Sequence, residues 1–369
     1  MLAPPEAEYR VTPTLGWPLD VEVDPRIGWP NVPRETLDWP ERATASRLPS
    51  GPSGSTNSTS APPTIALPPG PRRARFDEDE FNASVVEDDP PAIATTDRPE
   101  TASLPAPPHP RIFVVANQKG GVGKTTTSVN LAAALALGGL TVLVVDLDPQ
   151  GNATTALGVD HPPGTPGTYE VLMSGASLAA YAVDSPEAPN LKVLPATIDL
   201  AGAEIELVSI VARESRLRRS LRAYLQDNHA DYVFLDCPPS LGLLTVNALV
   251  GANEILVPIQ CEYYALEGVT QLLRTIDLVK GELNDDLRLS TVMLTMFDGR
   301  TKLAAQVADE VRQHFPAQTL PTVIPRSVRI SEAPSYGQTV LTYQPSSVGA
   351  ISYLEAAQEI ARRGIEESA

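Results

Sequence analysis

The chain has 369 residues, a formal charge of −17 and two cysteines, Cys237 and Cys261. The length suits one large α/β domain with an appendage, and the acidity argues against a chain that coats nucleic acid along its whole surface while leaving room for a local basic patch. Two cysteines without a CxxC pair exclude a disulfide scaffold or a zinc ribbon and point to a reducing, cytoplasmic setting.

Residues 1–110 stand apart. They hold 22 of the 37 prolines and no lysine. The opening "MLAPPEAEYR" has no basic-then-apolar leader pattern. A stretch such as "LPSGPSGSTNSTSAPPTIALPPGP" buries too little apolar surface to offset chain entropy, so a disordered tail is expected here. All three tryptophans fall in this tail, each before a proline: Trp17-Pro18, Trp29-Pro30 and Trp39-Pro40. Proline pre-sets an extended backbone and lowers the cost of ordering in a groove. The motifs stand open between docking sites for a polar or scaffold partner and incidental aromatics. The acidic runs "FDEDEF" and "VVEDDPP" read as solvated linker.

From residue 111 to 369 a second region alternates short apolar runs with helical patterns. "RIFVVAN", "TVLVVDLD", "LKVLPA", "YVFLDCPP", "EILVPIQ", "STVMLTMF" and "PTVIP" read as strands. They are continuous rather than alternating, as parallel strands covered on both faces should be. "TTTSVNLAAALALGG" reads as a helix stopped by a double glycine. "TKLAAQVADEVRQHF" carries a stripe of Leu303, Val307, Val311 and Phe315. The fold expected is α/β, a doubly wound, mostly parallel sheet with helices on both faces. No run approaches the 18 apolar residues of a membrane span.

"NQKGGVGKTTTS" follows the first of these strands and opens the first helix, the setting in which a phosphate-binding loop works. Gly120, Gly121 and Gly123 let the backbone curl with its N–H groups toward phosphate oxygens, Val122 lies among them, and the helix N-terminus adds partial positive charge. Lys124 reaches the β- and γ-phosphates, Thr125 offers a hydroxyl to Mg²⁺, and Thr126 bonds the α-phosphate. Lys119, at the front, has no room on the same phosphates. It is either a solvated surface lysine or a cation that crosses to a second molecule's nucleotide, where a unit charge pair about 4 Å apart at a dielectric near 20 is worth roughly 4 kcal/mol.

KGGVGKTT resembles the deviant phosphate loop of the ParA/MinD class, and "VVDLDPQGNAT", "LDCPPSLG", "EYYALEG", "MFDGRT" and "IPRSVRISEAPSYG" resemble the chromosomal ParA/Soj partition ATPases across residues 111–363. The resemblance implies an ATP- and Mg²⁺-dependent ATPase, slow without its partner, that closes as an ATP-sandwich homodimer. It assigns Lys119 to the partner copy's site, Asp148 to the attacking water, Asp146 to Mg²⁺ through water, and Asp236 to the metal's surroundings. Pro325 and Ser327 frame the adenine, with Ser327 standing where most relatives carry asparagine. Arg300 and Arg329 match DNA-contacting arginines, and Lys302, Arg326 and Arg312 extend that patch. Non-specific double-stranded DNA, a ParB-type centromere-binding protein and a nucleoid location complete the implied picture.

"ARESRLRRSLRAYL", with Leu217, Leu221 and Leu225 on one face, reads as an ordinary solvated helix, with DNA contact as the lesser reading. The alternative function is a MinD-like membrane-associated positioning ATPase, which should end in a basic amphipathic helix. This chain ends "EIARRGIEESA".

Overall fold

The computed structural model describes residues 22–24, 29–31, 103–263 and 265–366. The chain divides into two units, Met1–Thr96 and Asp97–Ala369. In the first, β1 (Glu22–Asp24) pairs antiparallel with β2 (Trp29–Asn31), so one of the three Trp-Pro motifs lies on a hairpin strand. The motifs at Trp17 and Trp39, and most of the expected disordered tail, lie outside the described residues.

In the second unit the described residues begin at Ser103, ahead of residue 111, and they pack on the domain. The Leu104 N–H donates to the Gly138 carbonyl at 2.9 Å. A Cβ on Gly138 would sit 2.4 Å from Leu104 Cδ1, so the glycine that stops the first helix also leaves the slot that Leu104 fills.

Seven strands form the sheet of this unit: β3 (Arg111–Val115), β4 (Val142–Asp146), β5 (Val183–Asp184), β6 (Leu191–Leu194), β7 (Tyr232–Asp236), β8 (Glu254–Gln260) and β9 (Arg288–Thr295). Their order is β5-β6-β4-β7-β3-β8-β9, parallel throughout except for the short edge strand β5. Phe113, Val115, Val144, Val193 and Phe234 share one core with α1 (Lys124–Leu137). The other face carries α3 (Leu243–Gly251) and α4 (Ala265–Glu282), which follow α2 (Arg216–Asp227) in the chain. The expected doubly wound α/β sheet is the observed one. Strands buried on both faces need no polar alternation, which explains the continuous apolar runs.

Three local expectations change. Residues 321–325 form no strand and make one isolated bridge, Phe297 with Pro325. Two prolines in five residues remove the donors a ladder needs. In α5 (Lys302–His314) the buried face is Ala304, Val307, Ala308 and Val311, while Leu303 is exposed. A strict four-residue spacing drifts by about 40° per step around a helix, which carries Leu303 off the buried stripe. In α2 the third buried apolar residue is Tyr224, not Leu225.

Candidate nucleotide site

Parallel strands leave their carboxyl ends on one rim of the sheet, and ligands in such folds bind beyond that rim. Residues 116–123 connect β3 to α1 there. The loop is fastened from the β8–β9 side: Asn117 Nδ2 donates to the Pro258 carbonyl at 2.8 Å, and Thr295 Oγ1 donates to the Val122 carbonyl at 2.9 Å. Asn117 Oδ1 accepts from the Lys119 N–H at 3.0 Å. Gly121 and Gly123 take φ of 73° and 87°, a region that L side chains avoid. A Cβ at Gly120 or Gly121 would meet nothing within 4 Å, so the loop's outer surface is an open cradle. No side chain caps the first turn of α1, leaving its N–H donors for an anion.

Lys124, the first residue of α1, is buried, and its Nζ lies 3.3 Å from the Lys119 carbonyl. Burial pushes its ammonium below the usual lysine range, against the pull of Asp236. Next in the helix, Thr125 Oγ1 donates to Asp236 Oδ2 at 2.8 Å, and one turn on, Ser128 Oγ donates to Asp236 Oδ1 at 2.8 Å. Asp236 ends β7, in register beside Asp146 at the end of β4. Both carboxyls are fully buried. Burial raises Asp236 to about 7, helped by the negative neighbour Asp146, and raises Asp146 to about 6.

Asp146 differs from Asp236 in how it is satisfied. Its Oδ1 accepts from the Asp148 N–H at 3.1 Å, and its Oδ2 from the Thr154 N–H at 2.9 Å and the Thr154 hydroxyl at 2.7 Å. Both oxygens therefore organise the turn that carries Asp148. Asp148 is almost fully buried, and its Oδ1 accepts from the Gln150 N–H at 3.0 Å. Ser128 and Thr154 hold the two buried carboxyls, and neither stood out in the sequence: Ser128 finds its partner 108 residues away, and Thr154 meets Asp146 across the turn that separates them by eight residues.

Lys119 projects to the other side. Its ammonium lies 3.9 Å from Glu262 Oε2, and Arg326 Nη2 donates to Glu262 Oε1 at 2.7 Å. Pro325 is half-buried beside Phe297, and Ser327 stands at the N-terminus of α6 (Val328–Glu332). Arg300 lays its guanidinium on Asp298, with Nε to Oδ1 at 3.0 Å and Nη2 to Oδ2 at 3.1 Å. Those bonds hold the Asp298 carboxyl below its usual range, with a smaller contribution from Arg326. Arg329 bonds Glu332 at 3.1 Å, and Lys302 is exposed at the start of α5. Among the described residues no group of three or more His, Cys, Asp or Glu assembles as a metal cage. Oxygen donors from Thr125 and Asp236 are nonetheless the kind that suits Mg²⁺ held jointly with phosphates.

A glycine loop between a parallel strand and a helix, a buried lysine and a hydroxyl at the helix start, and a strand-end carboxylate bonded to that hydroxyl define a P-loop nucleotide-binding protein. Residues 110–289 match a family described as an AAA domain. The chain is 52% identical over 254 residues to the sporulation initiation inhibitor protein Soj of Bacillus subtilis (strain 168), covering 69% of this chain and 99% of that one. It is 49% identical over 253 residues to the chromosome partitioning protein ParA of Caulobacter vibrioides (strain NA1000 / CB15N), covering 69% and 94%. Among solved structures it resembles a Mycobacterium smegmatis protein described as cobyrinic acid a,c-diamide synthase with bound ATP analog and magnesium, at 41% identity and TM-score 0.60, covering 69% and 96%. The chain belongs to the Soj/ParA family of chromosome-partitioning ATPases. No helix among its described residues is long and apolar enough to cross a membrane.

Proposed function

We propose that the chain hydrolyses ATP to drive chromosome partition, working as a homodimer that closes on two nucleotides and binds double-stranded DNA without sequence preference. The observation that carries this reading is the division of labour between the two loop lysines. Lys124 is buried against the loop, whereas Lys119, five residues earlier, is half-exposed with its ammonium beside Glu262. A cation so placed is available to a second copy's nucleotide.

Within each site, the N–H groups of residues 120–126 cradle the phosphates, and Lys124 bonds the β- and γ-oxygens. Thr125 and Asp236 would hold Mg²⁺, with Asp146 supporting it through water, and the ion would neutralise phosphate charge. Asp148 positions the attacking water at the γ-phosphate, on a turn fixed by Asp146. Lys119 of the other copy opposes the charge that builds as the phosphoryl group leaves. Pro325 packs on the adenine, and Ser327 adds backbone contacts.

Arg300, Arg329, Lys302 and Arg326 form the DNA patch. One patch is weak, and dimerisation doubles it, which couples ATP to DNA affinity. A ParB-type protein then stimulates hydrolysis and releases the dimer from the nucleoid. The N-terminal unit, which carries the three Trp-Pro motifs, engages a polar or scaffold protein. Sedimentation of the Lys119→Ala chain with ATP tests the core of the reading. Loss of the dimer with retention of bound ATP is expected. A Lys119→Ala chain that dimerises and hydrolyses like the parent removes the trans-acting lysine.

A further inference from the structure

We infer that Glu262 is a positioning residue that parks Lys119 in the resting chain, with Arg326 as its counterweight. This rests on the reading that Lys119 serves a second copy's nucleotide. Glu262 lies just past β8, between the phosphate loop on β3 and the base-framing segment beside β9. Its two oxygens face different cations. Oε1 takes Arg326 Nη2 at 2.7 Å, and Oε2 lies 3.9 Å from Lys119 Nζ. One carboxylate thus spans two segments that the nucleotide must occupy.

The contacts are unequal, and the inequality sets the behaviour. The shorter Arg326 bond draws charge from Glu262 and leaves the Lys119 contact loose enough to release. Lys119 is half-exposed, so its pair is worth little in water and breaks at small cost. A second bond ties the release to nucleotide. Lys124 Nζ sits on the Lys119 carbonyl at 3.3 Å in this structure. Phosphate oxygens would compete for the Lys124 ammonium, and weakening this already long bond loosens the front of the loop. Lys119 then leaves Glu262 for the partner's nucleotide. Glu262 is therefore a brake on dimerisation, and Arg326 weakens the brake.

The test uses full-length chains carrying Asp148→Ala, sedimented with saturating ATP and Mg²⁺ in low salt without DNA. Adding Glu262→Gln frees Lys119 in both copies and should lower the protein concentration for half-dimerisation by about 3- to 10-fold. Adding Arg326→Gln leaves Glu262 to Lys119 alone and should raise it by a similar factor. A merely structural Glu262–Arg326 pair would move both variants the same way, and that result overturns the proposal. So does a Glu262→Gln chain that dimerises no more tightly than its parent. A Lys119→Ala chain measured alongside separates the two failures. If it dimerises like the parent, the trans-acting lysine is wrong. If it stays monomeric while Glu262→Gln shows no tightening, only the brake is wrong.

Discussion

Thr125 and Asp236 are 111 residues apart in sequence and joined by a 2.8 Å hydrogen bond at the head of α1. The bond fixes the hydroxyl that would meet Mg²⁺ against the carboxylate that would support it. It also leaves a fully buried carboxyl with a second acid, Asp146, beside it on the sheet.

That arrangement has a stability cost with a definite sign. Asp236 is raised from 3.8 to about 7 by burial and by Asp146. Between those values the folded chain binds more protons than the unfolded one, so ligand-free stability falls as pH rises through the window. Asp236→Asn removes the ionisation. Its melting temperature without nucleotide should exceed the parent's at pH 7.5, by about 2–4 °C for each kcal/mol recovered, and converge with it near pH 4. The same variant should lose Mg²⁺-dependent hydrolysis. Thermal denaturation across pH, beside a Mg²⁺ titration of turnover, checks both halves, and an Asp236→Asn chain that melts below the parent at pH 7.5 contradicts the account.

Lys124→Ala should weaken ATP binding by at least about 30-fold, the equivalent of about 2 kcal/mol, because a buried charge-assisted contact to phosphate is lost. Lys124 is also held below the usual lysine range by burial without ligand. Removing it should therefore leave the ligand-free fold intact, with a melting temperature no lower than the parent's. Calorimetric titration with a non-hydrolysed ATP analogue, together with a melting curve, separates lost binding from lost folding.

Much of this was legible in the sequence, for identifiable reasons. Parallel strands buried on both sides write themselves as uninterrupted apolar runs, so six of the seven expected strands appear where they were placed. The glycine loop carries its own local geometry in its residue types. What stayed hidden depends on partners far along the chain. Ser128 reads as one more small residue in α1 until Asp236 is seen 2.8 Å away. Thr154 is the local exception: it ends a recognised motif only eight residues from Asp146, and its role shows once the turn between them brings its hydroxyl onto that carboxylate. Glu262 sat inside a recognised motif with no role, because its two cations come from opposite sides of the rim. The edge strand β5 is exposed and two residues long, too little to register as a pattern.

Asp148→Ala should leave ATP affinity within a few-fold of the parent and reduce hydrolysis by about 10²- to 10⁴-fold, the usual contribution of a group that positions or activates a nucleophile. Asp146 is fully buried and its oxygens already hold Thr154 and the Asp148 N–H, so it is not placed to take over the attacking water. The variant should accumulate as an ATP-loaded dimer that stays on DNA. Single-turnover hydrolysis and dissociation from immobilised duplex measure the two effects, and full-rate turnover by the variant moves the water-positioning role elsewhere.

Arg300→Glu probes the DNA patch where its electrostatics are most exposed. Arg300 is 89% exposed and rests its guanidinium on Asp298 through two bonds. In the proposed dimer a phosphate would compete with that carboxylate in each copy, so the contact would be weakened but made twice. Replacing the cation with an anion beside Asp298 removes both contacts and adds repulsion. Affinity for a random duplex should fall by about 10-fold or more at low salt, and the slope of log affinity against log salt should shrink by roughly 2, one released phosphate contact per copy. ATP-dependent dimerisation, read by sedimentation without DNA, should be unchanged, since Arg300 touches neither Lys119 nor the loop. The salt slope is the decisive measurement: a weakened but equally steep dependence means Arg300 shapes the surface without meeting phosphate.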